Sequence, residues 1–407
     1  MSRIATVRPL NAAAPAPPGI SRALTLLLAT ATGAIAANVY YAQPLLDVIA
    51  RSMGTSAGAA GVIVTVTQLG FALGLVFVLP LADIVERRSL LTVLLLLDAA
   101  ALAAVGFAPG LAVALVAFAA LGLANVAAQV LVPAAAHLAD DARRGRAVAT
   151  VISGLLTGML LARTVAGVVT ELVGWRPLFV GAAVLMIVVN GVLRRALHGM
   201  DGLPGRRVGY AEVLGSTVRL YRADARVRVR SVYGALGFAA FSVFWSTAAL
   251  QLSRSPFSYS PAVIGLFGLL GAAGALAANL TGRVRRHTHP LPTAVAVTLI
   301  GVAYAVLLLA GHTLGGIIAG VLILDIGVQG LHVLNQRVIY DVDAAARNRV
   351  NSIYMTFYFV GGALGSAAAS LMWSQAGWGG ICVTGLAVTA LASVLWACTS
   401  LRGRARA

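Results

Sequence analysis

Twelve apolar runs follow one another along the chain, separated by charges, prolines or glycine clusters, each close to the length of about 20 residues that a helix needs to cross a bilayer core. They extend from Ala23 to Tyr41, Ala59 to Leu79, Leu90 to Phe107, Leu111 to Leu138, Ala147 to Leu172 and Leu178 to Leu193 in the first half. In the second half they extend from Ser231 to Leu252, Ala262 to Leu280, Leu291 to Ala310, Leu314 to Ile339, Asn351 to Trp373 and Trp378 to Thr399. The longest polar stretch, Arg194 to Arg230, lies midway. The pattern predicts an all-α integral membrane protein with twelve transmembrane helices.

Composition agrees with that pattern. Of 407 residues, 59% are apolar and 11% charged, against about 45–50% and about 25% in an ordinary soluble domain. A soluble enzyme and a disordered chain are both excluded. Thirty basic residues against thirteen acidic ones give a formal charge of +17, which in a soluble protein would suggest nucleic acid as a partner. Here position matters more than the sum. All thirty are arginines, and 26 lie in or at the border of alternate inter-helix segments and the two ends, Arg337 just inside the tenth run. The other segments hold only Arg51, Arg176 and Arg254, and Arg163 lies inside a span. Cytoplasmic segments attract arginine, so this alternation predicts an even number of spans with both termini cytoplasmic, and no nucleic-acid partner. A cytoplasmic membrane is the expected location. Arg3, Arg8 and the Pro-rich stretch Ala13 to Pro18 before the first run could pass for a secretory leader, but cleavage would reverse the arginine alternation, so residues 1–22 are expected to remain as a cytoplasmic tail. Cys382 and Cys398 lie in one run; along a helix they are roughly 24 Å apart, too far for a disulfide.

A shift of 203 residues superposes Asp140, Arg144 and Arg146 on Asp343, Arg347 and Arg349, Gly158 on Gly361, Leu161 on Leu364, and Gly174-Trp175 on Gly377-Trp378. A shift of 204 superposes Gly61 and Gly70 on Gly265 and Gly274. The chain is therefore read as two related six-helix halves, 23–193 and 231–400, with a linker at 194–230 and a cytoplasmic tail at 401–407. Within the linker, Val213, Leu214, Val218, Leu220 and Tyr221 are spaced as the apolar face of a surface helix over Tyr210 to Ala223.

Two parallel six-helix repeats resemble the major facilitator superfamily over nearly the whole chain. The loop Leu81-Ala82-Asp83 followed by Arg87-Arg88 is similar to that family's Gly-x-Leu-Ala-Asp-Arg-x-Gly-Arg-Arg signature, from which Leu79, Ile84 and Glu86 depart. In the second half Gly282-Arg283 and Arg286 stand at the corresponding loop, without the acid. The stretches Asn38-Val-Tyr-Tyr-Ala-Gln-Pro-Leu-Leu46 and Asn351-Ser-Ile-Tyr-Met-Thr, with Gly361-Gly362, also resemble a bacterial branch of exporters. The resemblance implies pseudo-symmetric halves around a cavity lined by the first, fourth, seventh and tenth helices. It also implies that Asp83, with Arg87 and Arg88, acts as a gating latch near the start of the eleventh helix.

The polar faces of those helices supply candidates. On the tenth, Asp325, Gln329, His332 and Gln336 fall on one face. The fourth offers Asn125 and Gln129, the first Asn38 and Tyr41, and the seventh Phe238, Phe241, Trp245 and Gln251. Asp325 lies near the middle of its span, where a lipid-facing carboxylate would cost about 2.5–3.5 kcal/mol, so it should face the interior. There it could carry a proton, neutral while one gate is open and ionised when the other side takes the proton. Histidine ordinarily titrates near neutral pH, so His332 could share the role. Asp98 and Arg163 are further charges within spans; either they pair directly, or Arg163 meets Asp325 across the halves in one conformation and biases the rocking equilibrium. For Asp98 a fixed structural pairing is the expectation, with proton coupling the alternative. By resemblance, Arg163 stands where antiporters of the family often carry Gly-Pro. Pro44 removes a backbone hydrogen bond near the end of the first helix, either ending the span or opening it for contact with a ligand. Small residues four apart, Gly154, Gly158, Ala162 and Ala166 on the fifth helix and Gly361, Gly365 and Ala369 on the eleventh, predict close helix packing.

The expected function is secondary transport: proton-coupled export of a small amphiphilic molecule by alternating access, with protons and the lipid bilayer as further partners and a monomer as the acting unit. Uptake or uniport of a sugar or organic anion is the alternative, and Arg163 is the feature favouring an anion. A passive channel and a membrane enzyme or sensor are weaker readings. His137, His198, His287, His289 and His312 lie at loops or span ends without metal-ligand spacing on a shared face, and a chain without lysine cannot form a Walker lysine site. No metal, cofactor or catalytic activity is expected.

Overall fold

A computed structural model describes residues 21–198, 209–271, 290–342 and 347–404. Ten helices in it are apolar and long enough to cross a bilayer. Those of the first half are α1 (Arg22–Ser52), α2 (Ala57–Ala82), α3 (Arg87–Gly106), α4 (Leu111–Leu138), α5 (Arg143–Val173) and α6 (Trp175–Ala196). After an amphipathic linker helix (Tyr210–Ala223) come α7 (Ala225–Leu252), the shorter α8 (Pro261–Gly271), α9 (Pro290–Ala310) and α10 (Leu314–Tyr340). The last element, Arg347–Arg404, is broken at Gly377, with φ 56° and ψ −145°, into α11 (347–376) and α12 (378–404). The twelve expected spans are thus present in order, although positions 272–280 of the eighth lie outside the described residues. So do the start of the tail, residues 199–208 of the linker, and His287 and His289.

The glycines Gly174 and Gly377, 203 positions apart, are where the repeat becomes visible. Both have positive φ, 89° and 56°, with ψ of 167° and −145°, and each separates a helix from its antiparallel successor in a conformation that costs an L side chain about 1–3 kcal/mol. Polar side chains mark helix starts. Ser21, Ser56, Asp140 and Thr313 accept the backbone N–H groups of Leu24, Ala59, Arg143 and Gly316 at 3.1, 3.1, 2.8 and 3.1 Å, satisfying donors that no helical carbonyl can reach.

Between lipid-bathed helices there is little hydrophobic drive to associate, so close packing of small residues supplies contact. The backbone of Gly33 on α1 lies against Gly154 and Gly158 on α5, so closely that a methyl group at any of the three would collide with backbone. In the other half Gly361 and Gly365 on α11 meet the backbones of Ala235 and Ala239 on α7 in the same way. The halves touch through two corresponding seams. Gly61 on α2 faces Ser370 on α11, and Gly265 on α8 faces the backbone of Arg163 and Thr164 on α5.

Two boundaries differ from the sequence reading. The first span continues past Tyr41 to Ser52: the helix stops at Asn38, a 3-10 turn spans Gln43–Leu45 around Pro44, and helix resumes over Leu46–Ser52. Arg51 is therefore a helix residue, paired with Asp47 at 2.8 Å. The seventh span starts at Ala225, because Asp224 caps it by accepting the Arg226 N–H at 2.7 Å, which places Arg230 inside the helix. The ends of odd-numbered helices define one face of the molecule; the opposite one, carrying the linker helix, is termed the linker face.

Candidate functional site

The break in α1 turns Tyr40 and Gln43 toward α5, where Arg163 is 6% exposed. Its Nε and Nη2 donate to Gln43 Oε1 at 2.9 and 2.7 Å. The guanidinium lies 4.1 Å from the centroid of the Trp245 ring, 5.2 Å from Tyr40 and 5.9 Å from Phe241. On the other side Trp245 Nε1 donates to Asp325 Oδ1 at 3.3 Å, near the middle of α10. Arg163 and Asp325 are within electrostatic range of one another without ion-pair contact, and the Trp245 indole touches both. One layer thus joins α1 and α5 of the first half to α7 and α10 of the second. A desolvated cation–π contact is worth about 2 kcal/mol or more, and the aromatic faces, with one amide oxygen, provide a charge-poor lodging for a buried cation.

An aromatic wall continues from this layer toward the linker face. Phe241 stacks on Phe238 at 5.5 Å, Phe238 on Tyr358 at 4.0 Å, and the His332 ring lies 4.8 Å from Tyr358. His332 Nδ1 and the Tyr354 hydroxyl are 2.9 Å apart. Beside the wall a small pocket between the halves is lined by Tyr40, Gln43, Thr67, Gln68, Phe238 and Phe359 among others. Gln68 crosses the boundary there, donating to Ser242 Oγ at 3.2 Å.

The structure brings Asp325, Arg163, Phe241 and Trp245 together. His332 stands further along α10, with Gln329 and Gln336 half-buried on the same helix and Gln129 half-buried on α4. Three expected cavity residues instead point into the first half. Asn38 donates to Asp98 Oδ2 at 2.8 Å, Asn125 donates to the Ile35 carbonyl at 2.5 Å, and the Tyr41 ring meets Phe179 edge-on at 6.3 Å. Their polar atoms or rings are absorbed by neighbouring helices, so they bind α1 to α3, α4 and α6. Asp98 does not pair with Arg163; each has an amide partner of its own. Gln251 reaches the Gly311 carbonyl at 3.5 Å, away from the layer. Arg87 Nε donates to the Ala82 carbonyl at 3.4 Å, and Arg88 follows it at the start of α3, but the Asp83 side chain lies outside what is described, so the latch geometry is not part of this picture.

Sequence reasoning missed Tyr40 and Gln43. The helix stops at Asn38 and a 3-10 turn follows over Gln43–Leu45, so helical spacing does not say which of the two tyrosines faces α5. It also missed Arg230, counted as a loop charge. Arg230 Nη1 donates to Thr293 Oγ1 at 2.9 Å and Asn335 Oδ1 at 3.3 Å, and its guanidinium lies 5.6 Å from the Tyr233 ring. The signal for its depth was the cap at Asp224, one helical turn and a half earlier.

Residues 28–344 match the profile of the Major Facilitator Superfamily. The chain is 43% identical over 378 residues to "Uncharacterized transporter YgaY" of Escherichia coli O157:H7, covering 93% of this chain and 95% of that protein. It is 35% identical over 401 residues to "Probable transporter SCO4007" of Streptomyces coelicolor, covering 95% and 89%. Among solved structures, a bacterial homolog of the human lysosomal transporter Spinster, inward-facing and unoccupied, superposes with a TM-score of 0.75 over 92% of this chain and 94% of that one, at 15% identity. The peptide transporter POT in complex with sulfate superposes with a TM-score of 0.76 over 95% and 97%, at 17% identity. At such identities the two structures speak to the fold.

Proposed function

Because the chain belongs to the major facilitator superfamily, and so is a multi-pass membrane transporter, we propose that it is a proton-coupled secondary transporter that exports a small amphiphilic molecule by alternating access. The observation carrying this reading is the Trp245 indole between Arg163 and Asp325, a contact made of residues from both halves. Ionised Asp325 attracts Arg163 and accepts the indole N–H, which favours closure at this layer. A proton on Asp325 removes the attraction and leaves a weaker acceptor, so the closed arrangement loses stabilisation and the halves can separate there. Substrate and proton then reach the same layer in turn. The aromatic wall suits an apolar body, and the amides Gln43, Gln68 and Gln329 suit its polar groups. The distribution of arginines supports both termini on the cytoplasmic side of a bacterial inner membrane, and a single chain contains the complete layer, which suits a monomer.

A second reading, proton-coupled uptake of an organic anion, is favoured by one observation: among the described residues Arg163 has an amide and aromatic faces as partners but no carboxylate within ion-pair distance. The test of coupling is common to both. A compound that stabilises the purified protein in a thermal-shift screen of metabolites and antibiotics is taken into proteoliposomes with an imposed pH gradient. Asp325→Asn is expected to leave expression intact and abolish gradient-driven movement; movement equal to wild type would reject the proton role.

A further inference from the structure

Asp98 lies in the middle of α3 and is fully buried, and its structural surroundings are unusually specific. Its Oδ2 accepts from Asn38 Nδ2 at 2.8 Å. The other oxygen of each partner, Asp98 Oδ1 and Asn38 Oδ1, is buried and without a hydrogen-bond partner among the described residues. Two leftover acceptors on one amide–carboxyl pair cannot satisfy one another unless a hydrogen is placed between them, and a buried polar atom left unsatisfied costs about 1–3 kcal/mol.

Among the described residues no cation is placed to compensate an ionised Asp98. The helices packed on α3 are α4 and α6. Residues 111–136 of α4 and 177–193 of α6 contain no titratable side chain at all. Their titratable groups stand at the helix ends: His137, exposed, and Arg176, which donates to the Ala108 carbonyl beyond the end of α3, with Arg194 and Arg195 at the opposite end of α6. From α1 come Tyr41, which is in electrostatic range of Asp98, Tyr40, which lies against Arg163, and Asp47, already paired with Arg51. Arg163 is occupied by Gln43.

We propose that Asn38 and Asp98 form a closed acid–amide pair around one bound proton: the amide N–H donates to Asp98 Oδ2, and a proton on Asp98 Oδ1 is donated to Asn38 Oδ1. Each polar atom of the pair then has a partner, and the interior of the first half contains no net charge at this point. The proton site is separate from Asp325 and stands whether or not transport is proton-coupled. Its position gives it a role in the architecture. Asn38 is the last residue of the first helical segment of α1, two residues before Tyr40 and five before Gln43, so the bound proton fixes the stem from which the Arg163 partners project.

Infrared difference spectroscopy of the purified full-length protein in liposomes at neutral pH reads the proton directly. Wild type minus Asp98→Asn is expected to show the carbonyl stretch of a protonated carboxylic acid, shifted down in heavy water and retained in Asp325→Asn. The stretches of an ionised carboxylate in its place would overturn the proposal. Should Asp98→Asn fail to fold, wild type against Asn38→Ser reads the same group: loss of the amide partner is expected to move the acid band to higher frequency, and an unmoved spectrum counts against the pair.

Discussion

At the residue scale the molecule places its buried charges with neutral partners. Arg163 has Gln43 and three aromatic rings, and Arg230 has Thr293 and Asn335. Each arrangement offsets the cost of desolvating the charge without an ion pair among the described residues. Trp245 is the side chain on which this depends most, since it serves Arg163 with its face and Asp325 with its edge. Trp245→Phe retains a ring and deletes the donor, removing a hydrogen bond worth about 0.5–1.5 kcal/mol, or about 1.5–3 kcal/mol to a charged acceptor. Gradient-driven movement in proteoliposomes should fall by roughly tenfold or more, while thermal stability changes little. A variant that transports as well as wild type would show that the indole N–H does not contribute. Sequence alone marked Asp325, Arg163, Phe241 and Trp245, because a charge or an aromatic series within an apolar run is conspicuous. It did not mark Gln43 or Tyr40, because the helix ends at Asn38 and both residues lie in the turn that follows, where helical spacing no longer assigns faces.

Elements follow the apolar pattern closely, since in lipid every backbone group must find its partner within the helix and run length translates into span length. The departures occur where a local interaction outweighs the pattern: the 3-10 turn inside α1, and the cap that starts α7 before its apolar residues begin. That cap responds to pH. The Arg226 guanidinium beside Asp224, 2.8 Å away, holds its carboxyl below the usual carboxylate range. A carboxyl held low stabilises the folded chain above the ordinary range, and the contribution is lost as the pH falls through the depressed value. Asp224→Asn should therefore be slightly less stable than wild type at neutral pH, by under about 1 kcal/mol for so exposed a pair, and the two should converge in acid. Thermal unfolding across that range checks the sign. Packing makes a larger prediction. Gly158→Leu drives a side chain into the Gly33 backbone, and overpacking of this kind costs typically 1–3 kcal/mol. Gly181→Leu on α6, where added atoms meet open space, is the control. A drop in thermal stability confined to Gly158→Leu would confirm that α1 and α5 pack through bare backbone.

Viewed whole, the molecule repeats one device twice. Gly33 with Gly158, and Ala235 with Gly361, hold the first helix of each half to its fifth, and Gly61 and Gly265 occupy matching seams between halves. The 203-residue shift made this duplication readable from the chain alone, and a meeting of Arg163 with Asp325 across the halves was one of two readings; the Trp245 indole between them was not readable, because the repeat says nothing of which rotation joins its copies. Cysteine labelling at residues 5 and 406 should find both ends accessible from the same, cytoplasmic side; opposite sides would refute the arginine-based orientation. The linker helix adds an asymmetry to this symmetric plan. The Tyr210 hydroxyl donates to the Phe77 carbonyl of one half at 2.7 Å, while the Tyr221 ring stacks 5.0 Å from Phe357 of the other. If the two halves rock as proposed, a strut clipped to both must let go at one end, or bend with them, at each swing, and the pace of the cycle is then open to adjustment from a short surface helix remote from the cargo.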